Sequence, residues 1–318
     1  MRSYFLRQKS REVESRGGLG SRHFTVFTWI RLPRLRFFRM LTSPSKTALQ
    51  VALRRAAHQI HDVPLVFEDP LAVAILGETY AELLQRTPTR TDRPFSVALR
   101  AFLVARSRYA EDTLKYALEN GVEQYVLLGA GLDTFAYRNP HQQLRVFEVD
   151  HPQTQAWKRE LMRHNRIDVP DSVVYTPVDF ESQSLAEQLR DAGFDHRAPS
   201  FFAWLGVVPY LTIEAFRATL TFISIQPQGS GLTFDYVQPS SELPLDEQRA
   251  QASLASRVEK AGEPFRLSFT PEKLAAELTK FHSIEDLGAA EINDRYFAGR
   301  SDQLAIRGSA GRLLTAWL

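Results

Sequence analysis

Three short runs in this 318-residue sequence carry residue types and spacings that could do chemistry. In Tyr125-Val-Leu-Leu-Gly129-Ala130-Gly131-Leu-Asp133-Thr134, two glycines follow an apolar run. Glycines there let the backbone approach a ligand closely, because they lack a Cβ and accept positive φ. In Val146-Phe-Glu148-Val-Asp150, an acid falls about 20 residues after Gly131, the spacing at which a carboxylate meets a ribose diol. The competing role for Asp150 is to cap the helix that Pro152 opens. Glu148 and Asp150 alternate onto one side of their strand, so one of them is free to cap while the other binds. In Val178-Asp179-Phe180, an acid stands next to an aromatic ring. That pair suits an adenine pocket, with Asp179 accepting from the exocyclic amine and Phe180 packing on the ring.

The identity of the nucleotide-like ligand turns on the glycine loop. A dinucleotide loop reads Gly-x-Gly-x-x-Gly, with a helix N-terminus facing a pyrophosphate. Here Thr134 occupies the third glycine position and Asp133 lies inside the loop. A carboxylate there would repel two phosphate charges by several kcal/mol, on the order expected for close charges in a partly dry site. S-adenosylmethionine has no phosphate and carries a sulfonium and an ammonium, both of which an acid favours. Its carboxylate calls for a cation, and Arg106 can supply a bidentate guanidinium. An ordinary solvated surface arginine is the competing reading of Arg106.

These runs need elements to hold them. Ala48, Val51, Ala52 and Ala56 repeat with helical spacing from Ser45, and a helix is expected from Leu71 to Leu76 after the turn at Asp69-Pro70. Residues 85–94 read as a loop. A long helix follows from Phe95 to Asn120 and stops at Gly121. Strands then alternate with helices: strands at 124–128, 144–150, 172–179, 200–208 and 231–237, with helices at 152–165, 184–192 and 213–225 between them. Further helices are expected over 243–261 and 271–278, the former covering the site. A late strand pair at 283–287 and 303–306 would close the sheet. The fold class is therefore α/β, a doubly wound, mostly parallel seven-stranded Rossmann-like sheet with helical N-terminal additions. Ligands in such sheets bind beyond the carboxyl ends of the strands, where strand order reverses.

Composition bounds the rest. The net charge of +2 divides into +8 on residues 1–40 and −6 on the remainder, so nucleic acid is not expected as a partner of the main body. Residues 1–40 read as a basic, disordered leader and 41–318 as the folded domain. A membrane-surface arm is the competing reading of the leader, with Pro33 interrupting the helix it would need. No stretch approaches the ~20 apolar residues of a membrane span. The absence of cysteine excludes disulfides, zinc–thiolate sites and a cysteine nucleophile, and fits the expected cytoplasmic location. His58 and His61 stand three apart with no further ligand at metal spacing, so no metal is expected. His151 and His164 flank the helix at 152–165. Neither Gly-x-Ser-x-Gly nor His-Glu-x-x-His occurs, which disfavours serine hydrolase and zinc protease chemistry.

The constellation resembles the leucine carboxyl methyltransferase-like family of S-adenosylmethionine-dependent enzymes, and especially its uncharacterised bacterial branch. The matching residues are Phe67-Glu-Asp69-Pro70, Arg106 with Glu111-Asp112, the Gly129–Thr134 run with Tyr137-Arg138, Glu148-Val-Asp150-His-Pro152 with Lys158, Asp179-Phe180, and Gly206-Val-Val-Pro-Tyr210-Leu211-Thr212. The resemblance spans nearly everything after Ser45. It implies that Arg106 binds the cofactor carboxylate, Gly129, Ala130 and Gly131 its methionine part, Asp150 the ribose, and Asp179 with Phe180 the adenine end. It also implies methyl transfer to oxygen of a small-molecule acceptor, with a carboxylate as one candidate nucleophile. Many members carry Glu-Gly-Val where this chain has Leu205-Gly206-Val207, and that Glu approaches the cofactor. Asp133 remains nearby.

Methyl transfer from a sulfonium is a direct displacement that rests on alignment and exclusion of water. Tyr210 is the candidate substrate-side residue, or else a packed aromatic. No catalytic base is assigned, and the oligomeric state is left open. Two alternatives stay open: a nicotinamide-dependent oxidoreductase, and a catalytically silent S-adenosylmethionine-binding protein, for which Leu205 is the argument.

Overall fold

The computed structural model describes residues 45–86, 94–180 and 182–318; the leader at 1–40 and most of the expected loop at 85–94 lie outside them. Its centre is a seven-stranded sheet: β1 (Gln124–Leu128), β2 (Arg145–Asp150), β3 (Val173–Pro177), β4 (Ser200–Trp204), β5 (Gly231–Val237), β6 (Ser283–Leu287) and β7 (Gly311–Trp317). The order is β3-β2-β1-β4-β5-β7-β6; the first five strands are parallel, and β7 runs antiparallel to both β5 and β6. The order reverses at β1, where the chain leaves for β2 on one side and returns as β4 on the other. The loops after β1, β2 and β4 therefore surround one crevice.

Every residue of β1 and β4 is buried, as expected for strands covered on both faces. Their alternation sorts them between two cores. Tyr125 and Leu127 join Phe201 and Ala203 against Leu114 and Ala117 of the long helix α4 (Pro94–Glu119). Val126 and Leu128 join Phe202 and Trp204 on the other face, against Leu185 and Leu189 of α7 (Leu185–Asp191) and Phe216, Leu220 and Ile223 of α8 (Ile213–Ile223). The result is a three-layer α/β sandwich.

The N-terminal helices form a cap on the carboxyl end of the sheet. In α1 (Lys46–His61), the Ser45 side chain accepts from Ala48 N at 3.1 Å and starts the helix. Its small face, Ala52, Ala56 and Ala57, packs on Ala72 of α2 (Leu71–Ala74), on Ile75 and Leu76, and on Leu132 and Trp157. Leu84, from α3 (Glu78–Arg86), closes this cluster, and α5 (Phe135–Arg138) follows the β1 loop. The chain continues through α6 (Pro152–His164), α9 (Leu245–Lys260), α10 (Pro271–Glu277) and α11 (Ala289–Tyr296).

The closing strand differs from expectation. Residues 303–306 are not a strand; β7 is Gly311–Trp317. Leu304 and Ile306 are buried, but against Phe67, Tyr109 and Ile292 rather than in the sheet. The fourth strand also ends at Trp204 and not at 208, because Leu205–Val207 turn sharply before a short 3-10 turn at Val208–Tyr210.

Candidate active site

A cavity of about 400 Å³ opens at the carboxyl ends of β1, β2 and β4. Arg106, Gly129, Ala130, Gly131, Asp133, Asp150, Phe180 and Tyr210 all line it. Asp179 does not; it sits at the edge, with Ser182 Oγ donating to its carboxylate at 2.8 Å.

The glycine loop is held by backbone and by carboxylate. Gly129 N and Ala130 N both donate to Val149 O, at 2.8 and 3.0 Å, and Gly131 N donates to Asp150 Oδ2 at 2.5 Å. Gly129 has φ +69°, and a Cβ there would stand 2.3 Å from Val207 Cγ2, so any other residue is strained and must displace Val207 or the loop. Asp150 also accepts from His151 N at 2.7 Å. The helix cap that competed for Asp150 is made by its neighbour instead: the His151 ring accepts from Gln153 N at the start of α6. Burial raises the Asp150 carboxyl above the ordinary aspartate range, and the two N–H donors with Lys158 offset this only in part.

Glu148 turns away from the cavity. It is fully buried and takes Lys158 Nζ at 2.6 Å and the Tyr137 hydroxyl at 2.7 Å. Burial raises its carboxyl, and Lys158 opposes the shift most. The two acids of the strand thus divide their places: one closes the core, the other lines the cavity.

Beneath the loop lies an ionic network that only the three-dimensional structure reveals. Arg55 of α1 pairs with fully buried Asp69, donates to Thr134 Oγ1 at 2.9 Å and reaches Asp133 Oδ2 at 3.3 Å. Thr134 Oγ1 donates to Asp69 Oδ1 at 2.7 Å, and Arg138 joins Asp69 to Glu111. Asp133 Oδ1 meanwhile accepts from Phe135 N, the first residue of α5, at 2.8 Å. Burial disfavours the Asp133 charge, yet Arg55, Arg138 and Lys158 outweigh burial and hold its carboxyl below the ordinary range. Three carboxylates thus share two guanidiniums, which leaves the floor of the loop acidic by one charge.

Arg106 reaches the cavity from α4 and is almost wholly buried. Its Nη1 donates to Asp235 Oδ2 at 2.9 Å, and Asp235 Oδ1 accepts from Gly206 N at 2.5 Å. Gly206 has φ +71°, and a Cβ there would lie 2.7 Å from Arg106 Nη2. The glycine thus leaves room for the guanidinium. Asp235 was not legible as a site residue; its sign in the sequence is an acid within the apolar run Leu232-Thr-Phe-Asp-Tyr-Val. Leu205 lines the cavity and packs with the β1–β4 core. Burial pushes the Tyr210 phenol up to about 12, and its ring lies 5.2 Å from that of Phe265. Glu263, which the sequence did not single out, also lines the cavity.

The histidine pair shows no ligand geometry. His58 Nδ1 meets Asp62 at 2.8 Å, and its Nε2 accepts from Val66 N and Phe67 N, so its proton resides on Nδ1. Among the described residues, no group of three or more His, Cys, Asp or Glu is placed to hold a metal ion, and no helix is long and apolar enough to cross a membrane.

Known proteins agree with this architecture. The family model for leucine carboxyl methyltransferase matches residues 48–224. The chain belongs to that family, and with it to the S-adenosylmethionine-dependent methyltransferases. A Bacillus subtilis relative, YktD, described as a "Putative S-adenosyl-L-methionine-dependent methyltransferase", is 31% identical over 286 residues, covering 82% of this chain and 94% of its own. A DUF574 family protein from Streptomyces avermitilis shares the fold at TM-score 0.53 and 19% identity, over 77% of this chain and 94% of its own. A "putative methyltransferase" from Thermobifida fusca does so at 0.54 and 17%, over 84% and 93%.

Proposed function

We propose that the cavity binds S-adenosylmethionine and that the protein transfers its methyl group to oxygen of a small-molecule acceptor. The observation that carries this reading is the order of groups along the sheet. Phe180 follows β3, Asp150 ends β2, Gly129–Gly131 follow β1, and Gly206 with Arg106 stands beyond β4, all on one cavity. That sequence matches an adenine, a ribose, a methionine backbone and its carboxylate in turn.

The residues fit the ligand chemically. Arg106 would hold the carboxylate, sharing its charge with Asp235. The Gly129–Gly131 backbone would pass close under the methionine part, and Asp150 would accept from the ribose hydroxyls. Phe180 would pack on the adenine, with Asp179 at its rim. The acidic floor around Asp133 suits a cationic ligand and opposes a pyrophosphate, which counts against a nicotinamide cofactor. When bound, S-adenosylmethionine supplies an electrophilic methyl group; the chain's own contribution is orientation and the exclusion of water.

The test is calorimetric titration with S-adenosylmethionine and, separately, NADH, using Asp150→Ala as control. The reading requires binding of the first, weakened in the variant; NADH binding would overturn it.

A further inference from the structure

The sheet order gives the cavity a direction. If the cofactor runs from β3 to β4 with its carboxylate on Arg106, its methyl group lies between the ribose at Asp150 and the β1 loop. The acceptor must then enter along the wall that covers that loop, where a Cβ on Gly131 would lie 3.3 Å from Ala48 Cβ of α1. The wall there is built by residues outside the nucleotide-binding run: Thr47 at the start of α1, Leu205, Tyr210 and Glu263. Residues 263–267 are held in place because Arg266 N and Leu267 N donate to Pro209 O, at 2.7 and 3.2 Å. Glu263 Oε2 accepts from Thr47 N at 3.1 Å, and the buried Thr47 hydroxyl beside it faces the Tyr210 hydroxyl.

The charges at this end are unbalanced. The two guanidiniums that line the cavity are already matched, Arg55 by Asp69 and Asp133, and Arg106 by Asp235. Leu205 offers only apolar surface. A carboxylate acceptor would therefore bring a second negative charge to Glu263, and among the described residues that line the cavity no further Arg or Lys stands to hold it. A hydroxyl acceptor would instead donate to Glu263, with the Thr47 hydroxyl as a second partner.

We propose that Glu263 is a catalytic residue and that the acceptor is a phenol, enol or alcohol rather than a carboxylic acid. This rests on the cofactor assignment above. In the reaction the acceptor oxygen forms the new O–CH3 bond. The S–CH3 bond breaks with its electron pair left on sulfur. The hydroxyl proton passes to the Glu263 carboxylate and then to water at the cavity mouth. Unlike a carboxylate, a hydroxyl nucleophile needs such a base at neutral pH.

The experiment uses the full chain and Glu263→Gln, which keeps an oxygen for Thr47 N. Each protein is saturated with S-adenosylhomocysteine. It is then screened by ligand-observed NMR against fragments in which every carboxylic acid is matched by a phenol or alcohol of the same skeleton. The wild type should favour the hydroxyl member by about tenfold, and the variant should lose that preference. For a hydroxyl fragment that is methylated, kcat should fall about a hundredfold in the variant with KM little changed. Carboxylates bound best by the wild type, the same ranking in both proteins, or no fragment bound by the wild type would overturn the proposal. Titration with S-adenosylmethionine separates the two layers: failure of the wild type to bind it sinks the cofactor assignment. Normal binding by both proteins with unchanged ranking sinks only the role of Glu263.

Discussion

Replacing Gly129 by alanine tests whether the loop geometry is what the site depends on. The added Cβ would lie 2.3 Å from Val207 Cγ2, more than 1 Å inside the ~3.5–4.0 Å of ordinary carbon contact. Overpacking of this kind costs about 1–3 kcal/mol. The φ of +69° adds about 1–2 kcal/mol for any residue with a Cβ. Together they give a loss of roughly 2–5 kcal/mol, a large share of a typical domain's stability. The two components separate in a double-mutant cycle, because Val207→Ala removes the atom that clashes and leaves φ untouched. Urea denaturation of the four proteins should show Gly129→Ala partly rescued in the double variant, with about 1–2 kcal/mol of strain remaining. Titration with S-adenosylmethionine should follow the same pattern, since relief of the clash must displace either the loop or Val207. A Gly129→Ala protein with wild-type stability and affinity, or a double variant no better than the single one, would refute the reasoning.

Asp235→Ala should destabilise the fold by about 3–5 kcal/mol, because it strands the buried Arg106 guanidinium and leaves Gly206 N without an acceptor. Thermal unfolding checks this, and saturating S-adenosylmethionine should recover part of the loss by giving Arg106 a carboxylate. For pH, Asp150 has a carboxyl raised above its unfolded value of 3.8, so its proton is held more tightly in the folded protein. Its contribution to apo stability therefore improves as pH falls through the raised value, while its capacity to accept from ribose is lost over that same range. Cofactor affinity should weaken at a pH above 3.8 in the wild type and lose that dependence in Asp150→Asn; a flat wild-type profile down to pH 4 argues against the assignment. Leu205→Glu should change cofactor affinity by less than about tenfold, under 1.4 kcal/mol, because the cavity already presents Asp133, Asp150 and Glu263. A larger gain would mean that the native site is degraded.

How far the sequence could be read follows from which interactions are local. The loop after β1, the acid at the end of β2 and the ring after β3 each fall at a strand end, and strand ends are legible from short apolar runs and glycines. The five parallel strands were found because helices separate them. The last strand was misplaced for the opposite reason: Gln303–Ile306 alternates like a strand but packs against helices, whereas Gly311–Trp317 lies between β5 and β6 and shows no clean alternation. The charge partners were hidden because they are distant in sequence. Arg106 meets Asp235 across 129 residues, Arg55 meets Asp133 across 78, and Thr47 meets Glu263 across 216. Asp133 was read for its charge toward the ligand, yet it also accepts from Phe135 N and receives Arg55, and the second of these no spacing within its loop could reveal.

The central claim is that this crevice is an S-adenosylmethionine site, and its most direct test is calorimetric titration of the purified chain with S-adenosylmethionine beside Asp150→Ala. The account predicts saturable one-site binding in the wild type, weakened by about tenfold or more when the carboxylate is lost. Wild-type protein that takes up NADH and not S-adenosylmethionine, or an Asp150→Ala protein that binds S-adenosylmethionine as well as the wild type, would contradict it.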